Sequence, residues 1–369
     1  MTRLTGLPRL LLLLIGATAA IGFVFAIGDG LEAASFLGFF AFALFSLVRL
    51  VRPLNYWLDA ALAALGAASL LLALPVGEFG APAYFWLALV CTWLTTWLFV
   101  EELSAEIRAG RLDPRLFGLV IPALFGIVLI FIWEILTRGA NVPQVILPPP
   151  SAIWARLVES VPILWADFQQ TFLKAVLAGF AMGCLSGFVV AILVDRSPFL
   201  KRGLLPIGNF VSALPIIGIA PIMVMWFGFD WHSKAAVVVA MTFFPMLVNT
   251  VAGLNATSSI ERDLMHTYAA SYWQTLFRLR LPAAAPFIFN ALKINSTLAL
   301  IGAIVAEFFG TPIVGMGFRI STEVGKLAID LVWAEIAVAA VAGSAFYGVI
   351  ALIERAVTFW HPSVRGGRA

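Results

Sequence analysis

Apolar residues run through this chain in long blocks, and short polar turns separate one block from the next. Ten of the blocks are long enough to be helices crossing a bilayer core, which takes about 20 apolar residues. They cover roughly 8–27, 31–50, 57–76, 83–100, 116–136, 169–194, 204–228, 233–254, 286–309 and 333–354. Connections are short except near 137–168, 255–285 and 310–332. The first block follows Met1-Thr2-Arg3 and continues from Leu10 to about Ile27. That exceeds a usual signal core, so the block is read as a retained signal-anchor helix. The expected fold class is an all-α integral membrane protein of about ten transmembrane helices.

Composition removes the soluble alternative. Hydrophobic residues make up 62% of the 369 and charged residues only 12%, against about 25% charged in a soluble domain. Mean hydropathy is +1.00. Cys91 and Cys184 fall inside apolar runs without Cys or His neighbours and read as small buried hydrophobes. His232, His266 and His361 are far apart in loops or tails, so neither a metal nor a cofactor site is expected. A membrane-embedded enzyme would need a His/Asp/Glu cluster at catalytic spacing, and none stands out.

Charge placement gives orientation. With the N-terminus inside, sixteen of the 23 Lys and Arg residues fall in inner segments, six in outer ones, and Lys293 at a helix start. Cytoplasmic loops hold that excess, so both termini are expected in the cytoplasm of a multi-pass plasma-membrane protein. The polar stretch EELSAEIRAGRLDPR, Glu101 to Arg115, divides the chain. Before it stand four spans with very short loops and almost no internal polar residues, an accessory N-terminal bundle over 1–110. After it come six spans with long patterned loops, the working part over 116–360, and a cytoplasmic tail over 361–369.

The segment 255–285, NATSSIERDLMHTYAASYWQTLFRLRLPAAA, is long, amphipathic and basic. A helix from about Ile260 would align Leu264, Tyr268 and Tyr272 on one face. Ala269-Ala270-Ser271 then offers small residues for a turn, and Pro282 is expected to stop the element before the next span. Taken alone, this is a solvated amphipathic loop helix.

The same loop resembles the signature loop of type I ABC importer permeases, whose pattern is Glu-Ala-Ala, three residues, Gly, nine residues, Ile-x-Leu-Pro. Asp263 stands at the Glu position, Ala269 at the Gly position, Leu279 at the Ile position, and Leu281-Pro282 close the motif. The spacing is kept; the acid is shortened and the glycine is alanine. Leu147-Pro148-Pro149-Pro150-Ser151-Ala152 resembles the Leu-Pro-x-Pro-Ser-Ala segment of the nitrate/sulfonate/taurine branch. So do Pro215 to Pro221 with Trp226-Phe227-Gly228, Phe244-Pro245 with Asn249 to Leu254, and Ala306-Glu307-Phe308-Phe309-Gly310. The likeness covers roughly 116–360 in order, and the first 110 residues have no counterpart in a six-span permease.

The resemblance implies an ABC type-1 transmembrane domain in the last six spans (core 167–358, coupling loop 255–285) and no chemistry of the chain's own. Two permease copies would form the pore, a cytoplasmic ABC ATPase dimer would grip the loop, and an extracytoplasmic solute-binding protein would deliver a nitrate-, sulfonate-, taurine- or pyrimidine-precursor-type solute. Asp263, Ala269, Ala270, Ser271, Leu279, Leu281 and Pro282 would form the contact region. Arg278 and Arg280 would pair with ATPase acids or sit at anionic lipid headgroups. ATP and Mg would be bound by the partner, because no GxxxxGK[ST] occurs here and Gly325-Lys326 is followed by Leu327. The other expectation, an ion-gradient-driven secondary transporter, would have only Glu307 and Glu134 as membrane acids.

Polar groups inside the membrane are costly and face a cavity or a partner helix. Asn209, Ser212, Asn249, Asn295, Ser296, Thr297 and Glu307 are of this kind. Glu307, beside Gly310 and Pro312, reads either as a structural hydrogen bond to a neighbouring helix or loop or as an outer gate or pathway residue. Asn209 and Ser212 join it as pathway candidates, while Asn249 and Asn295 divide between interhelical glue and pore lining. Gly179, Gly183 and Gly187 make one flat helix face for close packing. The segment 310–332 reads as a re-entrant or interfacial element, which the resemblance would place near the outer mouth.

Overall fold

A computed structural model describes residues 6–28, 33–52, 55–74, 80–212, 215–310 and 313–360. The tail over 361–369 lies outside them. All regular elements among these residues are helices. Contacts divide the chain into two compact units, Met1–Ala152 and Ile153–Ala369. Among the described residues, seven helices are long and apolar enough to cross a membrane. Three shorter apolar helices bring the total to the ten blocks of the sequence.

The N-terminal unit holds α1 (Leu7–Gly28), α2 (Ala33–Val51), α3 (Tyr56–Leu72), α4 (Ala83–Arg108) and α5 (Pro114–Gly139). Helix α1 packs on α2 and α4, and α3 packs on α4. Their shared core includes Leu12, Ile15, Phe42, Cys91 and Leu98. The expectation of a bundle almost free of polar groups is corrected here. Arg49, at the end of α2, is buried and bonds Asp59 of α3 at 3.0 Å. Its second partner is Glu102 of α4. A loop cation in the sequence reading is therefore an internal tie across three helices, invisible one span at a time. Arg49→Met would strand Asp59, fully buried, without its cation. The expected cost is about 3–5 kcal/mol, read as a lower Tm of the purified chain, with Arg49→Met/Asp59→Leu recovering part of it.

Between the two units' spans comes α6 (Pro150–Glu159), which the sequence left as a loop. Its start is held by Glu134 of α5, which accepts from the Ser151 amide at 2.9 Å and hydroxyl at 2.7 Å. This is a carboxylate on orphan N–H groups at a helix N-terminus. It explains why Ser follows the prolines.

The second unit holds α7 (Val161–Arg196), α8 (Pro198–Ser212), α9 (Ile216–Phe227), α10 (Trp231–Leu254), α11 (Ser259–Thr267), α12 (Tyr272–Glu307), α13 (Met316–Gly325) and α14 (Ile329–Val357). The expected span 204–228 is two helices, α8 and α9, with Pro215 capping the second in extended geometry (φ −68°, ψ 122°). Proline has no N–H to continue the ladder, so the apolar run breaks there. Helix α10 is central and packs on α7 and α12. Gly179, Gly183 and Gly187 do face it. A Cβ on Gly179 would lie 2.7 Å from the Ala235 carbonyl oxygen, and one on Gly187 2.5 Å from that of Phe243. The α10 backbone and the Val238 and Thr242 side chains fill the groove, so the helices pack at contact distance without any hydrophobic drive between them. Helix α14 covers the other side of α12, with Ala299, Ala303, Ala339 and Ala342 in the shared core.

Candidate functional site: two clamped ends on the same helices

At one end of α7, α10 and α12 lies the expected coupling loop. Helix α11 opens on a capping box: the Glu261 amide donates to Ser258 Oγ (3.3 Å) and the Ser258 amide to Glu261 Oε2 (2.8 Å). That backbone bond, with the Ser258 hydroxyl second, holds the Glu261 carboxyl below its ordinary range. The cap therefore persists at neutral pH and is lost as acid protonates Glu261.

The helix ends at Thr267. Ala270 N–H then reaches back to the Met265 carbonyl (3.0 Å) and Ala269 N–H to that of His266 (2.9 Å), the Schellman closure. Its signature is a left-handed residue after the cap, and Ala269 has φ 50°. This gives a physical reason for glycine at that position in the pattern it resembles. A left-handed L-residue costs roughly 1–2 kcal/mol. Ala269→Gly is therefore expected to keep coupled uptake and raise Tm by a degree or two, whereas Ala269→Val should lose the turn; uptake assays with thermal unfolding check both.

Because α11 ends there, the expected Leu264–Tyr268–Tyr272 face does not exist. Leu264 and Tyr268 are exposed with Ile260, while Tyr272 begins the next helix and points elsewhere. Ser271 caps α12 through a second box with Gln274 (3.3 and 2.8 Å). Asp263 is on the exposed side of α11.

Pro282 does not stop this element. Helix α12 runs unbroken from Tyr272 to Glu307 because Leu276–Arg280 widens to a π turn. Leu281 N–H bonds Leu276 O, five residues back, and the wide turn makes room for the proline ring. Leu281 packs against the buried trio Leu254, Leu276 and Ala284, and Leu279 is half-buried beside it.

The same turn aims Arg280 inward. Its two terminal nitrogens bond both oxygens of Asp195 at 2.7 Å, and its Nε donates to the Leu254 carbonyl at 3.0 Å. The Tyr272 hydroxyl adds a bond to Asp195 at 3.0 Å, and the Arg196 guanidinium lies 5.6 Å from the Tyr272 ring centroid. One bidentate arginine thus ties the ends of α7 and α10 to the start of α12. Arg280 is committed inside the chain, which corrects its expected role toward an external acid or headgroup. Arg278 stays exposed.

At the opposite end of α7 and α12 is a second clamp. Asp167 Oδ1 accepts from the Gly315 amide (2.6 Å), Thr171 Oγ1 from the Met316 amide (2.8 Å), and Glu307 Oε2 from the Gly317 amide (2.7 Å). Thr171 donates its own proton to Glu307 Oε1 at 2.8 Å. Three consecutive amides at the start of α13 are held, two by carboxylates, which suits the orphan donors and positive end of a helix. Arg319 adds an ion pair to Asp167 at 2.8 Å. Burial alone would lower the Arg319 pKa, but the Asp167 bond and charge reverse this and raise it above the ordinary value. Gly315 is at φ 144°, and a Cβ there would lie 2.7 Å from the Glu307 carboxylate.

Glu307 is therefore a loop anchor in this arrangement, with both oxygens occupied. Asn295 is fully buried, donating to the Thr242 carbonyl (2.8 Å) and Cys184 Sγ (3.2 Å). Asn249 donates to the Pro245 carbonyl of its own helix (2.8 Å). The side chains of Asn209 and Ser212 lie outside the described residues. Asp167, Thr171 and Glu335, the last fully buried beside Asp167, escaped the sequence reading. An acid inside the apolar run of α7 opposite a lone loop arginine was the available signal. No cluster of three or more His, Cys, Asp or Glu suited to a metal occurs among the described residues.

Known proteins match the second unit and, in the longer alignments, residues before it. A family model described as "binding-protein-dependent transport system inner membrane component" matches residues 179–359. A probable ABC transporter permease protein of Haemophilus influenzae is 33% identical over 216 residues, 58% of this chain and 87% of the relative. The chain belongs to this permease family. A formylaminopyrimidine transport permease of Halalkalibacterium halodurans is 34% identical over 189 residues (51% and 75%). A riboflavin transport permease of Chloroflexus aurantiacus is 28% identical over 267 residues (72% and 98%). The chain is thus a permease subunit of a binding-protein-dependent ABC importer in the nitrate/sulfonate/taurine branch, a multi-pass membrane protein of a family whose members are not themselves enzymes.

Proposed function

We propose that the loop holding Asp263 faces the cytoplasm, with both termini, and receives a separate ABC ATPase that binds ATP and Mg. The Arg280 clamp carries this reading. A push on an isolated loop would be absorbed by bending, whereas this loop leads into three helices joined at one buried ion pair. ATPase closure would then shift the population of two arrangements of the bundle by its differential contact energy. The α13 segment, at the far end of the same helices, is read as the outer mouth where a loaded solute-binding protein docks. A second permease copy completes the pathway, and the region over 1–110 serves as an accessory scaffold. The names of the relatives suggest a small solute of the pyrimidine-precursor, flavin, sulfonate or nitrate type.

The test is reconstitution of the chain with its ATPase in lipid vesicles and a panel of loaded binding proteins. Hydrolysis and uptake stimulated by one of them would identify the solute. Uphill uptake driven by a proton or sodium gradient without ATP would end this reading.

A further inference from the structure

Two buried polar groups of the membrane region have partners within the chain: the Asn295 amide nitrogen donates to Thr242 and Cys184, and the Glu307 carboxylate is held by Thr171 and Gly317. The open polar positions are elsewhere. On α12, Phe287, Asn290, Ile294, Thr297 and Ile301 are exposed, spaced three and four residues apart, so they form one stripe along the helix. The opposite face, including Ala291, Asn295, Ala299 and Ala303, is fully buried. Asn290 makes no side-chain hydrogen bond to any described residue, and the Thr297 hydroxyl bonds only the Ile294 carbonyl behind it, at 2.8 Å. With a 1.5 Å rise per residue, Thr297 lies about 15 Å and Asn290 about 25 Å from Glu307. Both are therefore within the hydrocarbon depth of a span. An amide facing acyl chains without a partner would cost several kcal/mol, so lipid is a poor occupant. Helix α12, like α7, runs continuously from one clamp to the other, so its open face moves when either clamp moves.

We propose that Asn290 and Thr297 line the translocation pathway and set its selectivity. The stripe offers neutral hydrogen-bonding groups between apolar side chains and no fixed charge. It therefore fits a solute recognised through hydrogen bonds and apolar contact rather than through an ion pair inside the membrane. This deepens the importer reading and rests on it for the identity of the traffic, but not for the existence of a water-filled face.

The test uses the full chain reconstituted with its ATPase. Asn290→Cys and Thr297→Cys are compared with Val341→Cys, an exposed apolar position on α14. The unmodified chain is the blank, because Cys91 and Cys184 are buried. A charged, water-soluble methanethiosulfonate is expected to label both α12 cysteines at least about tenfold faster than Val341→Cys, a rate difference of about 1.4 kcal/mol. Trapping the ATPase with nucleotide and vanadate should change those rates. Labelling by a lipid-soluble maleimide alone, as at an acyl-facing site, overturns the proposal; so does protection from both reagents, which would mean that protein covers the stripe. Rapid labelling that ignores nucleotide supports the pathway face and counts against ATP coupling instead. Asn290→Asp and Thr297→Val are expected to change the ratio of uptake between two solutes in the reconstituted complex. An unchanged ratio overturns the selectivity role.

Discussion

Asp195→Ala is expected to leave ATP hydrolysis running while solute uptake falls away. The substitution strips the buried Arg280 of its bidentate partner and the Tyr272 hydroxyl of its acceptor. Asp195 is 3% exposed and Arg280 12%, so solvent does little to replace the pair. Breaking a buried pair by removing one member costs about 3–5 kcal/mol. That cost is roughly two to three decades in the population of the clamped form. The loop would still meet an ATPase through α11, whose caps are local. Its motion would no longer reach α7 and α10. Measuring hydrolysis and uptake together in vesicles gives a coupling ratio that should drop by about tenfold or more. Asp195→Asn keeps one acceptor oxygen but loses the charge and one fork contact, and is expected to fall between. A coupling ratio unchanged in a well-folded Asp195→Ala chain would mean that force passes by another route.

The second large effect is expected at Glu307→Ala. Both oxygens are engaged, and removal leaves the Thr171 hydroxyl proton without an acceptor and the Gly317 amide without a partner. Each stranded buried group costs about 1–3 kcal/mol. Glu307 is 2% exposed, so a void adds to this. Helix α13 should loosen from α12, seen as faster proteolysis or hydrogen exchange over 313–325 and a lower Tm. Transport stimulated by a loaded binding protein should fall with it. Glu307→Gln restores only half, since its amide oxygen can accept from one donor group while its NH2 meets the other with like polarity. Wild-type behaviour of Glu307→Ala would mean that Asp167 and Thr171 hold the loop alone.

Several features of both clamps could be seen in the chain itself. Serines followed three residues later by Glu261 and Gln274 are capping boxes readable from order alone. The motif spacing set Ala269 at a glycine position, and the Schellman turn then supplied the reason. Gly179, Gly183 and Gly187 pointed to a close partner, though not to α10. Pro282 misled because a helix-breaking rule is local, and a π turn behind the ring satisfies it without breaking the helix. Arg280 misled in another way, since a cation in a polar loop gives no sign that its partner lies 85 residues earlier in the chain.

Sequence alone determined what must be true of each segment in its solvent: which blocks are apolar enough for lipid, where small residues permit contact, and which family pattern the loop follows. These depend on neighbours within a turn or two, or on bulk transfer of side chains into lipid. Tertiary structure alone decided which charges meet. Asp167 with Arg319, Asp195 with Arg280, and Arg49 with Asp59 and Glu102 are joined by helix packing, and a pair's energy depends on a separation that residue order does not encode. The same packing buried Asn295 among α7 and α10 and left Asn290 exposed.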